Sequence, residues 1–244
     1  MSPTIIIVPG LGYPVGELDE LIKCLARNVQ VSVFLYDSEQ AKQDSKQSRS
    51  STPLVSALAA FCTHLSVGSD LILMGHSFGG LLAHLVERQQ RVKIDQMILI
   101  DPMTEYQFSV LPPLLPPAAT GESMSLSKFR RFMEGAWKEA SSNMYSVDIT
   151  LYLELLREPR LESTVDVTLI SANSFAHDSP RIFPEPYATR LQLAWLDLHC
   201  GILREFPRNQ LVIAENSNHY VHRCEPQVII SQVNAALGRL SARE

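Results

Sequence analysis

Short, almost continuously apolar runs rich in β-branched residues alternate along the chain with stretches whose apolar positions recur at helical spacing. The runs fall at Thr4–Val8, 30–36, 71–74, Gln96–Ile100, 165–171 and 210–214. A strand wetted on one face would alternate apolar with polar residues; runs without alternation predict strands covered on both faces, as in a parallel sheet. Between them, Thr52-Pro53 reads as a cap and first-turn proline leading into a helix. Leu81, Leu82 and Leu85 share one side of Phe78–Arg88, and Val228, Ile229, Val233 and Leu237 mark a closing helix over 226–240. Alternation of this kind predicts right-handed crossovers and a doubly wound, mostly parallel α/β domain.

One region breaks the rhythm. Residues 103–160 are far longer than an ordinary strand-to-helix loop. They begin with a proline-dense stretch, LPPLLPP at 111–117, followed by helical patterns from Ser125 (SLSKFRRFMEGAWKEA) and from Ser146 (SVDITLYLELL). Leu126, Phe129, Met133 and Trp137 fall on one stripe of the first. The expected organisation is a core made of 1–102 and 161–244 carrying a helical cap at 103–160, with an added structural subdomain as the other reading. The polar segment 40–51 reads as a loop.

The strongest chemical pattern is Gly75-His76-Ser77-Phe78-Gly79, a G-x-S-x-G sequence with a predicted strand before it and a predicted helix after it. A serine on such a bend needs small neighbours on both sides, and the following helix turns its N-terminal N–H groups toward developing negative charge. Ser77 is therefore the expected nucleophile. A serine hydroxyl needs a base. His219, in NSNHY just after the last apolar run, stands where the chain order Ser…acid…His places it, with His222 as the fallback. His64, His84, His76 and His199 read as packing or surface residues.

The acid, which orients the histidine, has two candidates. Asp101 leaves a buried strand beside the serine and is favoured for its rigid support; Asp178, in the loop after VTLISA, is the alternative. Two backbone donors are expected to hold the reaction's oxyanion: the N–H of Phe78, and the N–H of Leu11 in PGLG after the first strand.

These residues make the chain resemble the α/β-hydrolase superfamily from residue 3 to about 240, through IIVPGLG at 6–12, MGHSFGG at 74–80, ILIDP at 98–102 and NSNHYVHRCEP at 216–226. The resemblance implies a nucleophile–acid–base triad, a cap and no cofactor. The stretch from Trp195 through NSNHYVHRCEP also resembles capped microbial members acting on esters or related carbonyl compounds. Two departures stand out. Pro9-Gly10 occupies the place of the family's frequent His-Gly, and the chain begins at the family's third strand, so its sheet should be shortened.

Net charge is −5 and the isoelectric point near 5.8, which disfavours nucleic acid as a partner. The four cysteines are scattered without metal-ligand spacing, so no metal is expected, and free thiols suit a cytoplasmic protein. No apolar run reaches membrane-spanning length. The expected activity is hydrolysis of a carboxylic ester or thioester of a hydrophobic small molecule through an acyl-serine. Phe129, Met133, Trp137 and Tyr152 are expected to line the substrate pocket. Lys128, Arg130 and Arg131 offer a small basic patch to a carrier-bound substrate, though a solvated helix face is the simpler reading. The alternatives are cyclisation, acyl transfer or lyase chemistry with the same triad, and a non-catalytic binding protein.

Overall fold

The computed structural model describes residues 2–12, 15–27, 29–35, 53–135, 138–143, 146–174 and 182–243. Among these residues six strands form one sheet: β1 Thr4–Val8, β2 Gln30–Val33, β3 Leu71–His76, β4 Gln96–Ile100, β5 Asp166–Ala172 and β6 Arg208–Ala214. Their order is β2-β1-β3-β4-β5-β6, and all five pairings are parallel. β1, β3 and β4 are buried at every position, which is why their sequences carry no alternation.

Helices cover both faces. On one, α2 (Pro53–Leu65) and α3 (Phe78–Arg88) pack against Ile6, Val8, Leu71 and Leu73. On the other, α1 (Asp19–Leu25) and the C-terminal helix Pro226–Ser241 cover Ile5, Ile7, Ile72 and Met74. Alternate residues of one strand thus face opposite clusters, and full burial of each such side chain stabilises by about 1.5–3 kcal/mol. The chain runs outward from β1 to β2, then returns past β1 to β3 and continues the other way. In open parallel sheets the carboxyl ends at such a reversal form a crevice, and β1 and β3 flank it here.

The 103–160 region contains α4 (Gln107–Val110), α5 (Met124–Met133) and α6 (Ile149–Leu156). α5 begins where the Ser123 hydroxyl accepts from the Leu126 N–H at 3.2 Å. It ends short of Ala140, the sequence-based limit, because Gly135 takes a left-handed φ of 95°. α6 begins at Ile149 rather than Ser146, with Asp148 as its cap. The two helices pack in different places. α5 joins Leu111 and Leu115 against the first half of α7 (Tyr187–Leu203). α6 lies on α3 and belongs to the main core. The remaining helix, α8, is the single turn Val221–Cys224, which makes Pro226–Ser241 α9. The predicted strand over 30–36 ends at Val33, and Tyr36, like the 40–51 segment, lies outside the described residues. Among the described residues no helix is long and apolar enough to cross a membrane.

Candidate active site

Ser77 sits between the last residue of β3 and the first of α3, at φ 53° and ψ −119°. This positive φ is costly for a residue with a Cβ, and the surroundings over-determine it. The Ser77 N–H donates to the Ile100 carbonyl at 3.1 Å, and its own carbonyl accepts from Gly80 and Met103 at 3.0 Å each. The flanking glycines are required by space. A Cβ on Gly75 would approach the Gly79 carbonyl oxygen to 2.5 Å, and one on Gly79 would overlap the Val8 carbonyl of β1. The loop after β1 also comes close: a Cβ on Gly10 would lie 3.3 Å from the Ser77 Cβ. Leu11 follows in that loop, half-buried, and its N–H makes no hydrogen bond among the described residues.

Asp101 follows β4 directly, also at positive φ (41°), with its N–H bonded to the Ile170 carbonyl at 2.7 Å. Its carboxylate is buried and fully engaged. Oδ1 accepts from the Trp195 indole N–H at 2.9 Å and from the Ala172 N–H at 3.0 Å. Oδ2 accepts from His219 Nδ1 at 2.6 Å. Burial alone would raise this carboxyl's pKa. The hydrogen bond and electrostatic attraction of His219, with the hydrogen bond from Trp195, outweigh it and hold the group well below the usual carboxylate range. Because His219 Nδ1 donates to the carboxylate, the neutral ring carries its lone pair on Nε2.

Three further histidines surround this pair. His76 donates from Nε2 to the backbone carbonyl of His219 at 2.9 Å, and its ring lies 4.7 Å from that of His219. Burial, then the neighbouring His219 and His222, push His76 well below the ordinary histidine range. His222 packs edge-on to His76 at 5.0 Å; burial and the Arg223 charge lower it to about 4. His199 is fully buried beside the Trp195 ring. Its Nε2 donates to the Pro102 carbonyl at 3.1 Å, so its Nδ1 accepts from the Ser171 hydroxyl at 2.9 Å. Burial, its leading cause, keeps its pKa low and the ring neutral.

Ser77, Asp101 and His219 line one cavity of about 30 Å³, together with Met103, Gln107, Phe132, Met133 and Trp195. A family model described as serine aminopeptidase, S33 (Hydrolase_4) matches residues 1–158. The chain belongs to this family of α/β-hydrolases.

Solved structures agree on the fold of this hydrolase. A carboxylesterase structure from the thaumarchaeon Nitrososphaera gargenis is 14% identical, covers 100% of this chain and 92% of its own, and gives a TM-score of 0.59. The monoacylglycerol lipase of Paleococcus ferrophilus is 16% identical over 96% of both chains, with a TM-score of 0.57. ClbQ, from the colibactin NRPS/PKS pathway, is 11% identical over the full length of both chains at a TM-score of 0.55. No curated protein sequence matches.

Ser77, His219 and Asp101 line the same cavity, and the bond made among the three is that of His219 to Asp101; the expected pocket residues are distributed differently. Met133 lines the cavity. Phe129, one turn before it, turns instead into the cluster under α7, with its ring 4.9 Å from Phe183. Phe132 takes the cavity position. Tyr152 is wholly buried away from the cavity, edge-on to the Phe78 ring at 5.4 Å, because α6 packs into the core. Trp137 and Asp178 lie outside the described residues. Of the basic trio, Lys128 and Arg131 are exposed, while Arg130 is bound to Glu122 at 2.9 Å and to the Pro116 carbonyl at 2.8 Å. A three-cation patch is thus reduced to two. Trp195, Gln107 and Met103 went unread as site residues; for Trp195, an indole in an otherwise aliphatic helix stripe was the available sign. Among the described residues no group of three His, Cys, Asp or Glu is arranged for a metal ion.

Proposed function

We propose that this α/β-hydrolase cleaves carboxylic esters or thioesters of hydrophobic small molecules, with Ser77 as nucleophile, His219 as base and Asp101 as the acid that orients it. The observation that carries this reading is the shared cavity: a serine on a strained bend at the start of α3 opens into the same space as an imidazole whose other nitrogen is bonded to a buried carboxylate. His219 Nε2 takes the Ser77 hydroxyl proton as Oγ attacks the acyl carbon. The tetrahedral oxyanion is held by the N–H groups of Phe78 and Leu11. Collapse breaks the bond to the alcohol or thiol, which leaves with the proton from His219, and a water activated by the same imidazole releases the acid and restores Ser77.

An ester is favoured over a peptide with a free amino terminus by the charge of the site. Asp101 is the one carboxylate lining the cavity among the described residues, and its oxygens are committed to His219, Trp195 and Ala172. An ammonium group has no partner there. The apolar walls of Met103, Phe132, Met133 and Trp195 suit an acyl chain. Esterases and lipases among the structural neighbours point the same way. A cavity of about 30 Å³ holds only about two waters, so α5, which supplies Phe132 and Met133, serves as a cap that moves aside to admit substrate.

The test is labelling with a fluorophosphonate followed by peptide mass analysis, joined to a screen of acyl esters and thioesters. Modification at Ser77 and turnover of an apolar ester are expected. Asp101→Asn should lower kcat by about 10⁴ through the wrong histidine tautomer. An unlabelled Ser77, or Asp101→Asn at near wild-type rate, removes the proposed triad.

A further inference from the structure

Among the described residues Gln107 is the one uncharged polar side chain, apart from Ser77, in a cavity otherwise walled by sulfur, aromatic rings and the Asp101–His219 pair. It is 2% exposed. Its Oε1 accepts from the Thr104 N–H at 3.0 Å, which fixes the flip of the amide. The NH2 end must then lie opposite that bond, and no hydrogen bond to it is made among the described residues. With its acceptor on backbone, the amide has an NH2 end that only a molecule inside the cavity, water or substrate, can satisfy, and displacing that water with an apolar group is costly. Neither the Ser77 hydroxyl nor the Asp101 carboxylate, whose donors are His219, Trp195 and Ala172, takes a hydrogen bond from Gln107 among the described residues.

We infer that Gln107 is a specificity-determining residue: its amide NH2 recognises a hydrogen-bond acceptor, an ether, keto or hydroxyl oxygen, carried within the acyl chain of the substrate. The proposal rests on Ser77 chemistry as described above and narrows its substrate class from plain hydrophobic acyl groups to oxygenated ones. An acyl chain with oxygen at the right distance from the scissile carbonyl satisfies the donors; an all-methylene chain leaves them buried and unpaired. Discrimination of this kind is strong because the penalty falls on the wrong substrate. The short helix α4 makes the placement rigid, since the Leu111 N–H bonds the Gln107 carbonyl at 3.1 Å and the side chain folds back onto Thr104.

An oxygen scan tests this on the full chain. 4-Nitrophenyl hexanoate is compared with esters in which one methylene at a time, from the third to the fifth acyl position, is replaced by an ether oxygen. Each kcat/KM is divided by the ester's hydroxide rate to remove intrinsic reactivity. One position should exceed hexanoate by about tenfold or more, the effect of one buried hydrogen bond. In Gln107→Met, which keeps the length but has no donor, that ratio should fall to about one. In Gln107→Glu, which retains the acceptor for Thr104 but has no NH2, it should fall below one. A flat scan in a wild type that turns over hexanoate overturns the Gln107 assignment alone. A preferred position that persists in both variants overturns it too. Absence of any turnover together with an unlabelled Ser77 overturns the assignment and the parent reading at once.

Discussion

The Trp195 indole and the His219 imidazole hold opposite oxygens of one carboxylate, at 2.9 Å and 2.6 Å from Oδ1 and Oδ2 of Asp101. The two donors arrive from distant parts of the chain, Trp195 from the middle of α7 and His219 from the loop after β6. Together with the Ala172 N–H they leave the carboxylate no freedom to rotate.

Removing the indole donor should therefore loosen the Asp101 carboxylate, the proposed acid, without deleting it. A hydrogen bond to a charged group contributes about 1.5–3 kcal/mol. Trp195→Phe is expected to lower kcat/KM for a simple ester by roughly tenfold to a hundredfold, far less than Asp101→Asn. Steady-state kinetics of the two variants side by side decides it; equal losses would mean that Trp195 does more than anchor the carboxylate.

His76 reaches His219, the proposed base, through the His219 backbone. Its Nε2–H bond to the His219 carbonyl fixes the loop that carries the imidazole, and its low pKa keeps the ring neutral with that proton in place. His76→Phe preserves ring volume and loses the donor, and kcat should fall about tenfold with little change in KM. His76→Gln, with an amide donor near the same position, should recover part of the loss. If both variants behave alike, packing rather than the hydrogen bond is what His76 supplies.

The fold class was legible because burial on both sheet faces erases alternation, and β1, β3 and β4 carry no polar interruption. The bend that carries Ser77 was legible for a related reason. The Gly75 and Gly79 positions have no room for a Cβ, so the demand of the bend is written directly into residue type. The positions of Tyr152 and Phe129 are not legible in the same way, because helical periodicity gives a buried stripe but not the neighbour it is buried against. Tyr152 meets Phe78 of the core, and Phe129 meets Phe183. Gln107 left no trace, since a single glutamine in a proline-rich stretch gains meaning only from the Thr104 N–H it accepts and the cavity it faces.

Away from the site, Glu205 gathers Arg88, Arg160 at 2.8 Å and His84 at 3.5 Å around a carboxylate that is 28% exposed. Burial alone would raise its pKa, but the bonds and charges of His84, Arg160 and Arg88 bring it down to about 2 from 4.5. A depressed carboxylate contributes stability that is complete above pH 4.5 and is lost as pH falls from there toward 2. Glu205→Gln should cost on the order of 2 kcal/mol in urea unfolding at pH 7, and the gap from wild type should narrow steadily between pH 5 and pH 3. A gap that stays constant across that range would assign the cost to shape rather than charge.

Two glycine-to-alanine changes within helices should move stability in opposite directions. Gly238 lies inside α9, where an added Cβ meets nothing within 4 Å. Restricting the unfolded chain there stabilises by about 0.4–1 kcal/mol, so Gly238→Ala should raise the melting temperature slightly. Gly79 is the second residue of α3, where helix propensity alone would favour alanine equally. Its Cβ, however, would overlap the Val8 carbonyl and crowd that of Pro9, both backbone atoms that cannot swing aside. β1 and α3 would have to separate, opening the crevice that holds Ser77. Gly79→Ala is expected to lose more than about 3 kcal/mol or fail to accumulate as folded protein. Thermal melts of both variants give the comparison, and a Gly79→Ala protein as stable as wild type would show that α3 does not pack against β1 as closely as described.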